Sequence, residues 1–124
     1  MSPAKLFERV VQVAPQFAPV LDEHLRDYDA ILPHVLMPSL LGFIGARIVG
    51  PEAPVDATVV RLLELLEAEV VGEDPDTQNL IAVSFLENLE AEPFFGQLYP
   101  MLGPNLRAAH SPFAWRRQPN PNAG

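Results

Sequence analysis

The chain has 124 residues, with 16 acidic and 8 basic side chains, a formal net charge of −8 and no cysteine. The absence of cysteine excludes disulfides, thiol catalysis and cysteine-ligated zinc or iron–sulfur sites. The negative charge disfavours nucleic acids and anionic membrane surfaces as partners, because binding to either requires a basic surface. A chain of this length, with 48% hydrophobic residues, is most simply one domain with its own core.

Apolar residues at helical spacing predict two short helices before residue 30. The first covers Pro3 to about Ala14, where Leu6, Val10 and Val13 recur at the spacing of one helix face. The second runs from Pro19 to Tyr28, because proline is favoured in the first turn of a helix.

The longest uncharged run of the sequence extends from Ala30 to Ala46. It is shorter than the roughly 20 apolar residues that a membrane-spanning helix needs, so we expect a buried core segment. Residues 31–49 predict a helical pair or one kinked helix, because Pro38 removes a backbone hydrogen bond and should break or bend the helix near Met37.

After a predicted stop at Gly50-Pro51, the clearest helix of the sequence begins. Asp56 is a good N-cap, apolar residues form one stripe along the following 14 positions, and Gly72 is a natural end.

The segment from Asp74 to Glu90 predicts a further helix, with Asp74 as its cap and Pro75 in its first turn. Its predicted core face contains Ile81, Ala82, Phe85, Leu86 and Leu89. Its predicted solvated face contains Thr77, Ser84, Glu87 and Asn88. Capping and solvation thus account for the polar residues, and this pattern favours a core helix over a polar site.

The C-terminal part is predicted to contain one or two short helical turns after Pro93. Its packing candidates are Phe94, Leu98 and Leu102. From Ser111 onward the periodicity is lost, so residues 1–110 are predicted to form the domain and residues 111–124 a loosely ordered tail. For the basic aromatic stretch Trp115-Arg116-Arg117, folding back onto the acidic surface or disorder is favoured over contact with a partner.

No stretch shows the sustained alternation of apolar and polar residues that is typical of a strand. We therefore predict an all-α fold, a compact bundle of about five to six helices. The segments 56–71 and 75–90 together resemble one unit of a HEAT-like helical repeat.

A cluster of polar residues around the second helix is one candidate site. It contains Asp22, Glu23, His24, Asp27, Asp29 and His34. Glu23 and Asp27 share a helix face, and a carboxylate beside an imidazole suits acid–base chemistry or a metal. The spacing matches no known metal or catalytic motif, so a solvated helix face is the favoured interpretation. His34, after Pro33, is expected at a helix start, half-buried against the core.

Acidic residues also gather at the junction between the two C-terminal helices: Glu67, Glu69, Glu73, Asp74 and Asp76. They lack the ordered ligands and terminal glutamate of an EF-hand loop, which disfavours a calcium site. A sharper hypothesis makes this junction half of an acidic face for a basic protein partner. No serine lies in a nucleophile elbow and no glycine loop could hold a phosphate, so no catalytic residue is predicted.

Several sequence blocks resemble a group of small bacterial proteins that is known only as a domain of unknown function. They are LDEHLRDYDAILPHVLM, VVRLLELLE, DTQNLIAVSFLENL and LYPMLGPNL, within residues 18–107. The resemblance implies a bacterial, cytoplasmic, helical protein and brings no catalytic residue with it. In size and charge the chain is also similar to small acidic immunity proteins, an analogy that does not establish function.

Three hypotheses follow from the sequence. The first is a non-enzymatic protein-binding module, of the kind that immunity proteins represent, with no cofactor. Its partner-binding residues would be Asp22, Glu23, Asp27, Glu67, Glu73 and Asp76. The second is a small metal-binding protein or enzyme that uses Glu23, His24, Asp27 and His34, with the two histidines as metal ligands. The third is a homo-oligomer that packs through the apolar segment Ile31–Ile48.

Overall fold

The computed structural model describes residues 1–49 and 56–110. These residues are all-α, as predicted, and contain seven α-helices and no strand. The helices are α1 (Pro3–Val13), α2 (Ala18–Tyr28), α3 (Pro33–Ile48), α4 (Ala57–Glu69), α5 (Pro75–Leu80), α6 (Phe95–Leu98) and α7 (Pro104–His110). The predicted stop at Gly50-Pro51 and the predicted tail 111–124 with its Trp115-Arg116-Arg117 stretch lie outside the described residues.

Two predicted N-caps form as expected. The Asp56 carboxylate accepts the Thr58 N–H at 2.7 Å, and the Asp74 carboxylate accepts the Thr77 N–H at 3.3 Å. Each cap satisfies a backbone donor that has no partner inside its helix. The starts of α4 and α5 are therefore determined locally by the sequence.

The helix α3 is continuous through Pro38, so of the two predicted alternatives one helix is confirmed and a helical pair with a break near Met37 is wrong. Leu36, Met37, Leu40 and Leu41, on both sides of the proline, are buried, while Pro38 itself is exposed. Burial of about 1.5–3 kcal/mol per large apolar side chain offsets the cost of one lost backbone hydrogen bond. The proline ring can therefore face solvent without ending the helix.

The core forms around α3, which packs against α1, α2, α5 and α6. Its buried residues include Ile44 and Ile48, and the predicted packing candidates Phe94, Leu98 and Leu102 are buried as well. The helix α4 packs mainly against α1 and α7. The HEAT-like pairing of α4 with the next helix is therefore not among the principal contacts.

A π-helical segment, Ile81–Glu87, directly follows α5 and packs against α3 and α7. The wider π turn changes which residues face the core, so Ser84 is buried instead of solvated. Thr77 is also buried, and its hydroxyl lies 2.6 Å from both the Met1 carbonyl and the Asp74 carboxylate. The solvated face predicted for this segment is thus right for Glu87 and Asn88 and wrong for Thr77 and Ser84.

Gly42 and Gly45 provide a matched pair of substitutions on α3. A Cβ on Gly45 would overlap the ring of Phe94, whereas a Cβ on Gly42 would meet nothing within 4 Å. We expect Gly45→Ala to lower the free energy of unfolding by about 1–3 kcal/mol through overpacking. Gly42→Ala should raise it by about 0.5–1 kcal/mol, because alanine loses less backbone entropy in a helix. Urea denaturation measures both, and equal effects would contradict this packing.

The side chain of Asp56 makes the acid stability of α4 measurable. Partial burial raises the pKa of Asp56, but hydrogen bonds from the Thr58 N–H, from the Arg47 guanidinium at 2.8 Å and from the Val59 N–H outweigh it. The net pKa therefore lies below its ordinary value.

Because the pKa is lower in the folded state, Asp56 stabilises the fold fully above its unfolded pKa of about 3.9. That contribution disappears as the pH falls through the lower folded pKa. We expect Asp56→Asn, which can still cap α4, to reduce the loss of stability between about pH 5 and pH 2. The measurement is urea denaturation across this range. The control is Asp22→Asn, at an exposed carboxylate. Its free energy of unfolding should change with pH more nearly as that of the unsubstituted chain does.

Candidate functional site

The corner between α2 and α3 is the most distinctive surface feature of the described residues. At the end of α2, Asp29 adopts a left-handed conformation with φ of 59°, and its N–H donates to the Leu25 carbonyl at 2.8 Å. Aspartate tolerates this conformation better than most residues with a side chain. The chain can thus end α2 and begin α3 four residues later, at Pro33.

His24 connects the two helices at this corner. Its ring is buried, with 7% of its surface exposed, and its Nε2 accepts the Leu32 N–H at 2.9 Å. The Tyr28 ring lies beside it, with a centroid distance of 4.8 Å. Because Nε2 accepts a hydrogen bond, it carries no proton, and the ring proton resides on Nδ1. The solvated position expected for His24 is therefore wrong, and its observed role is to hold the corner.

Four exposed apolar side chains belong to the end of α2 and the start of α3, and we call them the corner surface: Leu25, Tyr28, Leu32 and Val35. Their exposed fractions lie between 38% and 48%. They account for half of the eight large apolar side chains that are exposed in the described residues. Single exposed apolar residues need no explanation, but a contiguous group is typical of an interaction site.

Local contacts bring these four side chains to one place. Leu25 and Tyr28 are three residues apart on α2 and so are neighbours on its surface. Leu32 donates its amide to His24, and the Val35 N–H donates to the Leu32 carbonyl at 3.0 Å. Helical spacing and two hydrogen bonds therefore place the four residues of the corner surface at the same corner of the fold.

Carboxylates cover much of the remaining solvent side of α2. Asp22 lies about 60° from Leu25 around the helix axis, and Glu23 and Asp27 lie farther round on the other flank. All three are exposed, as is Asp29. Arg26 is the one basic residue of α2. The sequence therefore predicted the acidic side of α2 correctly and missed the apolar surface at its end.

The other acidic residues predicted for partner binding lie elsewhere. The Glu67 carboxylate accepts the Asn105 and Leu106 N–H groups, both at 2.9 Å, and thereby caps α7. Glu73 and Asp76 are exposed at the junction of α4 and α5. The principal contacts of α2 are with α3 and the 3₁₀ turn before α2. The structure therefore places the two acidic groups on separate elements.

His34 lies in the first turn of α3, as predicted, but it is exposed and not half-buried. Its Nδ1 lies 2.5 Å from the hydroxyl of the buried Ser84. The Ser84 carbonyl accepts the Asn88 side-chain N–H at 2.9 Å. This pair connects α3 to the π segment and was not predicted. Burial of the polar Ser84 would have indicated this pair, but burial is not visible in the sequence.

The residues of the predicted metal site do not converge. Within residues 1–49 and 56–110, no group of three or more histidine and carboxylate side chains could hold a metal ion. His24 directs Nε2 to the Leu32 amide, while His34 directs Nδ1 to Ser84. One ring nitrogen of each histidine is thus engaged in a hydrogen bond within the fold.

In the described part of the chain, no helix combines the length and the apolar character that crossing a bilayer requires.

Comparison with known proteins identifies a family but no activity. A family model described as a domain of unknown function, DUF7674, matches residues 7–118. The chain belongs to this family, in agreement with the resemblance in the sequence blocks. No curated protein and no solved structure matches the chain significantly.

The hydrogen bond to His24 can be tested by substitution. We expect His24→Ala to lower the free energy of unfolding by about 1–3 kcal/mol, because it leaves the Leu32 amide without an acceptor. His24→Gln can restore an acceptor oxygen and should recover part of the loss. Urea denaturation gives the free energies of unfolding. In His24→Ala, the hydrogen-exchange rate of the Leu32 amide should be higher than in the unsubstituted chain. An unchanged exchange rate would contradict the role assigned to His24.

Proposed function

We propose that this member of the DUF7674 family is a non-enzymatic protein-binding module whose binding site is the α2–α3 corner. The observation that carries the proposal is the corner surface, in which four exposed apolar side chains lie around a hydrogen-bonded turn. Interfaces commonly combine an apolar centre with a polar rim, and tyrosine is among the residues enriched there. Tyr28 is the central anchor of the proposed site.

The chemistry of the partner follows from the charge around this surface. The solvent side of α2 carries Asp22, Glu23 and Asp27, and Asp29 follows at the corner. A partner that covers both the corner and the solvent side of α2 therefore meets four carboxylates and one guanidinium in addition to the apolar centre. Its contact segment should carry apolar side chains flanked by lysine or arginine. An immunity-type inhibitor of a basic protein would have this chemistry, and the acidic rim would accelerate its association.

Rigid support makes this surface suitable for binding. The Asp29 N–H and the Leu32 N–H are both engaged in hydrogen bonds, and His24 is buried beneath the corner. The turn is thus fixed before a partner arrives, so binding costs less conformational entropy.

The two other hypotheses have less support. The metal-binding proposal would require His24 to release the Leu32 amide. The homo-oligomer proposal relies on Ile31–Ile48, but Leu36, Leu40, Ile44 and other apolar residues of this segment are buried within the chain. Val35 and Leu32 remain exposed there, and both already belong to the corner surface.

A comparative capture experiment tests the proposed function. The tagged protein and its variants would be incubated with extract of the source cell at about 0.05 M and 0.5 M salt, where screening differs strongly. Mass spectrometry would quantify the retained proteins. The interface variants are Tyr28→Ala and Asp27→Lys. The controls are Val71→Ser and Glu8→Lys. Val71 is an exposed apolar residue outside the corner surface, and Glu8 is an exposed carboxylate on α1.

We expect one basic protein that the unsubstituted chain and both controls retain at low salt. Tyr28→Ala should reduce its retention at least about tenfold, the typical effect of losing an aromatic anchor. Asp27→Lys should weaken retention at low salt more than at high salt, because it changes a rim charge. Equal retention by Tyr28→Ala and Val71→Ser would exclude the corner as the binding site. Light scattering of the purified chain gives its oligomeric state, and a dimer would indicate that the corner binds a second copy of this chain instead of another protein.

A further inference from the structure

A groove between α1 and α4 has a character opposite to that of the acidic α2 surface. Its volume is about 440 Å³, and its lining residues are Arg9, Gln12, Val13, Arg61, Glu64 and Leu65. The volume falls in the range of small-molecule sites, roughly 300–1,000 Å³. The groove therefore has room for a small organic ligand.

The same spacing on both helices produces this groove. Arg9 is followed by lining residues three and four positions later, and Arg61 is followed in the same way. Residues at these spacings share one helix face, and α1 and α4 pack directly against each other. Each helix thus contributes one guanidinium, one further polar side chain and one apolar side chain.

The two guanidinium groups are the notable feature of the groove. Six of the eight lysine and arginine residues are in the described part of the chain, and two of them line this one groove. In residues 1–49 and 56–110, the ion pairs are Arg47–Asp56 and His110–Glu90, so neither Arg9 nor Arg61 is paired with a carboxylate there. Arg9 donates one N–H to the Gln12 side chain at 2.9 Å, which leaves its other donors available.

We propose that this groove binds a small organic carboxylate with an apolar body. Two arginines on separate helices can hold a carboxylate between them through charge-assisted hydrogen bonds. Val13 and Leu65, both partly buried, offer an apolar surface to the rest of the ligand. This binding site lies apart from the α2–α3 corner and does not depend on the proposed partner binding.

Glu64 keeps the positive charge of the groove small. Its carboxylate leaves the lining with a net charge of one positive unit from two arginines and one glutamate. An anion is therefore attracted, and Val13 and Leu65 favour an anion with an apolar body over inorganic phosphate, which has no apolar surface to bury. Glu64 can also accept a hydrogen bond from a donor group on the ligand.

Three probes distinguish this proposal from simpler anion or apolar binding: octanoate, the neutral octanamide and inorganic phosphate. Each would be titrated into the isotopically labelled full chain, with amide shifts followed by NMR. We expect octanoate to bind with a dissociation constant below about 1 mM and to shift resonances of α1 and α4. Octanamide and phosphate should bind at least about tenfold more weakly, because octanamide lacks the charge and phosphate lacks an apolar body to pack against Val13 and Leu65.

The variants connect binding to the two arginines. Arg9→Gln and Arg61→Gln should each weaken octanoate binding about tenfold, and Arg61→Lys should restore only part of it. Arg26→Gln, on α2, is the matched control and should bind as the unsubstituted chain does. Glu64→Gln should improve phosphate binding. All four substituted side chains are exposed, and circular dichroism would confirm that the variants fold.

Four binding results would overturn the proposal. They are no octanoate binding at about 10 mM, equal binding of octanamide, tighter binding of phosphate than of octanoate, and equal losses in Arg26→Gln and Arg61→Gln. Shifts confined to the α2–α3 corner would also exclude the groove as the site.

Discussion

The hydrogen bond from the Leu32 amide to His24 Nε2 determines the geometry of the α2–α3 corner. A helix end and the following helix start both leave backbone donors and acceptors without partners. At this corner the left-handed Asp29 satisfies the Leu25 carbonyl, and the buried imidazole satisfies the Leu32 amide. The turn is thereby closed with side chains that are already part of the packing, and the exposed apolar residues around it take fixed positions.

The corner also explains why a histidine is suited to this position. Its imidazole presents an acceptor at a distance from the α2 backbone that a shorter polar side chain could not reach. Its ring also packs against Tyr28. Protonation of Nε2 would remove the acceptor, so the bond depends on a neutral imidazole. One side chain therefore couples the turn, the packing beneath it and the orientation of the tyrosine at the proposed interface.

Much of the fold follows from local rules that the sequence displays directly. The caps at Asp56 and Asp74 form as predicted because an N-cap depends on residues within one helical turn. The apolar stripe of α4 is buried for the same reason of spacing. Pro38 left two alternatives open because its effect depends on tertiary packing, which holds α3 together on both sides of it. The π segment was missed because a projection at α-helical spacing assigns Ser84 to the wrong face.

The candidate sites were harder to predict because they depend on contacts between elements. The sequence shows Leu25 and Tyr28 at helical spacing, but only the path of the turn decides that both are exposed beside Leu32. The signal of the α1–α4 groove was present in the sequence as the shared spacing after Arg9 and Arg61. It could not be interpreted until the structure showed that α1 and α4 are neighbours.

The net charge of −8 describes the chain as a whole and conceals two surfaces of opposite character. At physiological ionic strength the field of an exposed charge is largely screened beyond about 8 Å. A ligand in the α1–α4 groove therefore responds mainly to Arg9, Arg61 and Glu64, and a partner at the corner responds mainly to the carboxylates of α2. Total charge governs the long-range attraction of a basic protein at low salt, whereas the nearest side chains decide what each surface can bind. An acidic protein can thus have a site for an anion, provided that the local arginines outweigh the screened field of the rest of the chain.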